Sequence, residues 1–173
     1  MTVSATPRDR APDLPTELPD LVLRELTVDD ADAYYALLDR NRQHLSRLGD
    51  YRAESRATPA WARGQLAADP APDLRYGIRL GGELIGRVDL IAVDPPRYGT
   101  GYWLDEAHQG AGRATAACAA LYGYAAHELA ATDIYAGVTR GNERSVALLG
   151  RLGFERVAEF ADCTRFHLAL EGS

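Results

Sequence analysis

The spacing of apolar residues changes period several times along this chain, and each change marks an element. Leu21, Val22, Leu23 and Leu26 read as a short strand that Thr27 breaks. Thr27 and Asp30 are spaced as a capping pair, and Ala31, Tyr34, Tyr35 and Leu38 recur at helical spacing. A second short helix is predicted from Arg42 to Leu48. Thr58-Pro59 predicts a third, because proline's missing N–H is harmless at the first helical position, and Pro70 bounds it. From Leu74 the period drops to two. Leu74, Tyr76, Ile78 and Leu80 alternate, Gly81-Gly82 turns the chain, and Leu84, Gly86, Val88 and Leu90 alternate again, which predicts a hairpin. Pro95-Pro96 break that run, and Tyr98 to Leu104 predicts a further strand. A glycine-containing loop, Gln109 to Ala114, opens a long helix to about Leu129. Ile134, Ala136 and Val138 form a strand, Asn142 opens a helix ending near Gly153, and Phe154–Phe160 and Thr164–Leu170 close the order as two strands. The fold class implied is mixed α/β: one largely antiparallel sheet, flanked by helices, with a single strand–helix–strand crossover.

The first twenty residues hold four of the nine prolines (Pro7, Pro12, Pro15, Pro19) and no periodic pattern. They predict a flexible lead over residues 1–20, followed by one domain over 21–173. A length of 173 residues agrees with a prior of roughly 150 per domain. With 46% hydrophobic residues the chain buries a core without staples. A formal charge of −6 argues against nucleic acid, which needs a clustered basic face. No apolar run reaches the ~18 residues of a membrane span, and none resembles a signal peptide. Cys118 and Cys163 form no metal or CxxC spacing, which points to a reducing, cytoplasmic compartment. The four histidines are scattered, so no metal site is expected. All 19 basic residues are arginine. A GC-rich genome accounts for that, although a chain without ε-amines also suits an enzyme handling activated acyl groups.

The chemistry is concentrated between Tyr102 and Ala114. Glycines between a strand and a helix N-terminus let backbone N–H groups approach an anion, and the helix dipole adds to the attraction. A pyrophosphate suits such a loop, with Arg113 adding a charge-assisted contact. The same residues also read as an ordinary glycine turn. A P-loop is excluded, since it needs lysine. A Rossmann fingerprint fits only in part: Thr115 stands where Gly or Ala is needed, and no series of parallel βαβ units precedes it.

Gln109-x-x-Gly112-x-Ala114 resembles the Q/R-x-x-G-x-G/A signature of the GNAT superfamily of N-acetyltransferases. Gly101-Tyr102-Trp103-Leu104 before it, Asn142-x-x-Ser145 and Gly153-Phe154 after it resemble the RimJ/RimL-type ribosomal-protein branch. So does the opening Leu23-Arg24-Glu25-Leu26-Thr27 with Asp29-Asp30-Ala31, and the resemblance spans about Leu21 to Leu170.

That resemblance implies a GNAT fold whose sheet splays between the strand ending at Leu104 and the strand at Ile134–Val138, admitting acetyl-CoA as co-substrate. Gln109, Gly110, Ala111, Gly112, Arg113 and Ala114 would cradle its pyrophosphate. Backbone groups near Trp103 and Leu104 would hold the pantetheine arm and polarise the thioester carbonyl. Asn142 would contact CoA, and reads equally as a plain N-cap. Ser145 matches the serine that this branch places to protonate the departing thiolate; its bland reading is a first-turn helix residue. Two family features are missing. Leu149 stands where many members have tyrosine, and Gly99 where many have a glutamate base. Asp89 is the alternative base, either facing the acceptor cleft or lying on a solvated face beside Arg87. Deprotonation of the amine through ordered water stays open beside it. Tyr34, Tyr35 and Trp61 read as core or cleft lining, His108 as a turn residue, and Cys163 as no nucleophile.

The function expected is direct acetyl transfer to a primary amine, either a protein N-terminus or a small aminated metabolite or antibiotic, by a monomer or homodimer. A non-catalytic acyl-CoA-binding module and a transferase for longer acyl groups are the rival readings.

Overall fold

The computed structural model describes residues 10–47 and 50–171. Two short strands, β1 (Leu14–Pro15) and β2 (Leu21–Glu25), are followed by α1 (Ala31–Arg40), α2 (Arg42–Ser46), α3 (Arg52–Ser55) and α4 (Pro59–Ala67). Then come β3 (Leu74–Leu80), β4 (Glu83–Asp94), β5 (Arg97–Leu104), α5 (Arg113–Glu128), β6 (Asp133–Thr139), α6 (Glu143–Arg151), β7 (Glu155–Glu159) and β8 (Cys163–Ala169). Among the described residues the strands form one eight-stranded sheet in the order β1-β2-β3-β4-β5-β6-β8-β7. Every neighbouring pair is antiparallel except β5 and β6, which the α5 crossover makes parallel.

Local chemistry accounts for the element ends. The Thr58 hydroxyl accepts from the Trp61 N–H at 3.1 Å, capping α4 with Pro59 in its first turn. Asn142 caps α6 by accepting from the Ser145 N–H at 3.2 Å. Helix α3 carries no apolar periodicity and was not legible from spacing. The predicted end of α2 at Leu48 lies outside the described residues; the helix is seen through Ser46.

The predicted flexible lead is corrected over its described part. Leu14 pairs with Leu23 and Pro15 with Val22, while the Tyr76 hydroxyl donates to the Pro12 carbonyl at 2.9 Å and the Glu25 carboxylate accepts from the Ala11 N–H at 2.8 Å. A proline on an edge strand loses no inner hydrogen bond, so proline content alone did not exclude a strand there.

The core has two parts on opposite faces of the sheet. Leu23, Ile78, Val88, Leu90, Ile134 and Ala136 pack with Ala117, Leu121 and Ala125 of α5 and with Leu148 and Leu149 of α6. On the other face, Tyr34, Leu37 and Leu38 of α1 and Ala62 and Leu66 of α4 enclose Leu84 and Trp103. Gly86 sits where the strands close up: a Cβ there would lie 2.5 Å from the Trp103 carbonyl oxygen.

Candidate active site

Strands β5 and β6 pair only over Arg97–Gly99 and Asp133–Tyr135, and beyond Gly99 they separate. The gap opens into a cleft of about 900 Å³ between β5, the loop before α5, the first turn of α6 and the α2–α3 region. On β5, alternation puts main-chain groups to opposite sides. The Asp105 N–H donates to the Ile85 carbonyl at 2.7 Å and the Trp103 carbonyl points at β4, so the main-chain groups of Tyr102 and Leu104 face the gap. This corrects the expectation for Trp103. It lines the cleft, but its main chain is engaged with β4 and its ring lies in the α1–α4 core against Tyr34. The Tyr51 hydroxyl donates to the Tyr102 carbonyl at 2.6 Å, holding the free edge of β5 from the helical side.

The loop before α5 has the features of an anion cradle. Gly110 and Gly112 have φ of +88° and +73°, and nothing stands within 4 Å of where a Cβ would project from either. Gly112 is the N-cap of α5 and offers no side chain, which leaves first-turn N–H groups free for a guest. Gln109, Arg113, Ala114 and Thr115 line the cleft with these glycines, joined by Arg47, Arg144 and Arg151. That donor set fits a polyanionic co-substrate. Ala111 is placed elsewhere, in a small hollow with Leu18, Leu21 and Leu80. The Gln109 amide is shared: its nitrogen lies 3.0 Å from His44 Nε2, and its oxygen accepts from Arg144. It ties α2 to the first turn of α6 across the mouth of the cleft.

The base of the loop is anchored at Asp105, whose side chain is 6% exposed. It accepts from Arg40 Nε at 3.0 Å, Arg40 Nη2 at 2.9 Å and Asn41 Nδ2 at 3.2 Å. Burial pushes its carboxyl up, but the Arg40 and Asn41 donors and the Ala107 N–H bring it below its ordinary value. His108 contacts the same carboxylate and so belongs to the turn, as its position predicts.

Ser145 and Asn142 line the cleft from α6, and Asn142 is an N-cap in the same place. Asp89 does not line it. Arg87 and Asp89 share a face of β4, where Arg87 Nε donates to both carboxylate oxygens at 2.9 and 3.1 Å and Arg87 Nη1 donates to the Tyr34 hydroxyl at 2.7 Å. That face lies toward Tyr34 of α1, and the Asp89 side chain keeps 21% exposure there. Burial pushes the Asp89 carboxyl up while Arg87 opposes. The acids that do line the cleft are Asp50, Glu106 and Glu143. Asp50 accepts from the Thr139 hydroxyl, and burial raises its pKa. Asp50, Tyr51, His44 and Arg47 were missed by sequence reasoning, because their segment carries no motif and reaches the cleft only through tertiary packing. Among the described residues no helix is long and apolar enough to cross a membrane, and no group of His, Cys, Asp or Glu is placed to hold a metal ion.

The family described as the acetyltransferase (GNAT) domain matches residues 20–155. A probable N-acetyltransferase, YjcK of Bacillus subtilis (strain 168), is 30% identical over 146 residues, covering 79% of this chain and 81% of the relative. A putative ribosomal N-acetyltransferase of that organism, YdaF, is 29% identical over 145 residues, covering 78% and 77%. The fold is similar to that of RimL, a ribosomal L7/L12 α-N-protein acetyltransferase solved with coenzyme A. The TM-score is 0.85 at 18% identity, covering 94% of this chain and all of that one.

Proposed function

This chain belongs to the GNAT acetyltransferase family, and on that premise we propose that it transfers the acetyl group of acetyl-CoA directly to a primary amine, with a protein N-terminal α-amine as the preferred acceptor. The observation that carries the reading is the separation of β5 from β6 immediately before the glycine loop, which sets an unpaired strand edge and an anion cradle in one cleft. Gly110, Gly112 and Arg113 bind the pyrophosphate, and Arg144 adds charge. The Leu104 and Tyr102 main-chain groups along the gap hold the pantetheine arm, and an N–H there stabilises charge developing on the thioester carbonyl oxygen. The neutral amine forms a bond to the carbonyl carbon, the C–S bond breaks with its electron pair going to sulfur, and Ser145 supplies a proton to that sulfur. Asp89, held by Arg87 outside the cleft, takes no part, and the amine loses its proton to solvent at its own pKa. A ribosomal acceptor is favoured by the names of two of the similar proteins.

The test is release of free thiol from acetyl-CoA with three acceptors: an N-terminal peptide, an N-blocked lysine peptide and an aminated small molecule. Turnover with the first is expected. Thermal stabilisation by acetyl-CoA without turnover of any amine would replace this reading with that of an acyl-CoA-binding module.

A further inference from the structure

Two consecutive residues, Asp50 and Tyr51, span the gap between β5 and β6 beyond the point where the strands part at Gly99 and Tyr135. The Tyr51 hydroxyl donates to the Tyr102 carbonyl of β5 at 2.6 Å, and Asp50 Oδ1 accepts from the Thr139 hydroxyl at the end of β6. Asp50 is exposed and lines the cleft. Among the described residues its second carboxylate oxygen has no hydrogen-bond partner and no arginine forms an ion pair with it. The other acids of the cleft are answered. Glu106 pairs with Arg47 at 3.4 Å, and Glu143 sits in the first turn of α6, where the helix dipole favours a carboxylate. Among the described residues Asp50 is thus the cleft acid with neither a cation nor a helix dipole to match its charge. Partial burial moves its carboxyl up, and no cation brings it back down.

We propose that Asp50 receives the acceptor amine: its free carboxylate oxygen accepts an N–H from the attacking nitrogen and turns the nitrogen lone pair toward the thioester carbon. This rests on the acetyl-transfer reading above and names the acceptor contact that reading leaves open. Thr139 on β6 and Tyr51 on β5 fix the carboxylate in the gap, beside the strand edge that holds the thioester. A primary amine arrives largely as a cation at neutral pH, and an unmatched carboxylate attracts it. Once the amine has lost that proton to solvent, two N–H groups remain, and donating one of them leaves the lone pair free to attack. As the N–C bond forms the nitrogen becomes positive, and the fixed carboxylate stabilises that charge. The proton count closes. The C–S bond breaks with its electron pair going to sulfur, Ser145 gives its proton to the sulfur, and the serine oxygen recovers one, through solvent, from the nitrogen. Asp50 stays ionised throughout. The amide product carries no positive charge, so the same contact favours its release.

The experiment compares wild type, Asp50→Asn and Asp50→Glu by calorimetry with CoA bound, titrating an N-terminal peptide and the same peptide already N-acetylated. Turnover, the KM for acetyl-CoA and the melting temperature of each protein are read beside it. Asp50→Asn keeps the shape and removes the charge. It is expected to weaken binding of the free-amine peptide about 10-fold and to lower its kcat/KM at least as much. Binding of the N-acetylated peptide and the KM for acetyl-CoA should stay within about two-fold, and Asp50→Glu should recover part of the loss. Equal effects on the two peptides, or a free-amine affinity within two-fold of wild type in Asp50→Asn, overturn the proposal alone. A wild-type protein that acetylates no amine overturns the functional reading, and this proposal falls with it.

Discussion

On the proposed acetyl-transfer reading, single atoms at Gly112 and Ser145 decide the chemistry. Gly112 has φ +73°, which strains any L side chain, and its Cβ position is open, as the proposed approach of an anion requires. Gly112→Val is therefore expected to abolish the rise in melting temperature that saturating acetyl-CoA gives the wild type, a stabilisation of about 2.7 kcal/mol at 100-fold excess over Kd. An unchanged shift would remove the loop from the binding site. Ser145→Ala leaves the cap intact, because Asn142 bonds the main-chain N–H of Ser145 rather than its hydroxyl. The expected result is a kcat about 10²-fold lower with little change in acetyl-CoA affinity. A kcat within about three-fold would leave the serine a structural residue and the proton to solvent.

Elements are coupled to the site through Asp105. It joins the end of α1, through Arg40 and Asn41, to the turn that leads into the glycine loop. Its folded pKa lies below the unfolded value near 3.9, so its stabilising contribution is complete above that pH and is lost as pH falls through the folded value. Asp105→Asn keeps the shape and removes the charge. Urea unfolding should find it about 1–3 kcal/mol less stable than wild type at pH 7, and the gap should narrow toward pH 3. A gap that stays constant with pH would mean that the ionised carboxylate contributes nothing. The Gln109 bridge from His44 to Arg144 is a second coupling, since it joins α2 and the first turn of α6 to the glycine loop.

For the whole molecule, the question is which amine reaches the gap and in what protonation state. With Asp89 paired to Arg87, no carboxylate from β4 is among the described residues that line the cleft. The rate should then rise with pH toward the acceptor's own pKa, which is ~7.7–8.0 for an α-amine and ~10.4 for a lysine side chain. At neutral pH the N-terminal peptide is expected to outpace the N-blocked lysine peptide in kcat/KM. Asp89→Asn should leave the pH–rate profile unshifted. Faster acetylation of the lysine peptide would reverse the acceptor assignment. Activity lost in Asp89→Asn and regained at high pH would put that carboxylate back on the proton's path.

The sequence by itself determined the order of the elements from β2 to β8 apart from α3, the hairpin at Gly81-Gly82 and the glycine loop at the head of α5. Apolar period, turn glycines and caps act within a few residues, so each can be read locally. The departure of β5 from β6 was legible too, through a family resemblance rather than through spacing. Only the tertiary structure decided which side chains meet. Asp89 alternates correctly for either face of β4, and the packing of α1 is what buries it beside Arg87 and Tyr34. His44 and Arg47 fall in or beside a predicted helix and Asp50 and Tyr51 follow it without a motif; they line the cleft because Leu45 and Tyr51 pack against α1 and α4. Residues 10–20 looked loose for their prolines, yet Leu14 and Pro15 gain a partner in β2. Such contacts join residues far apart in sequence, and their free energy depends on surfaces that exist only once the chain has folded.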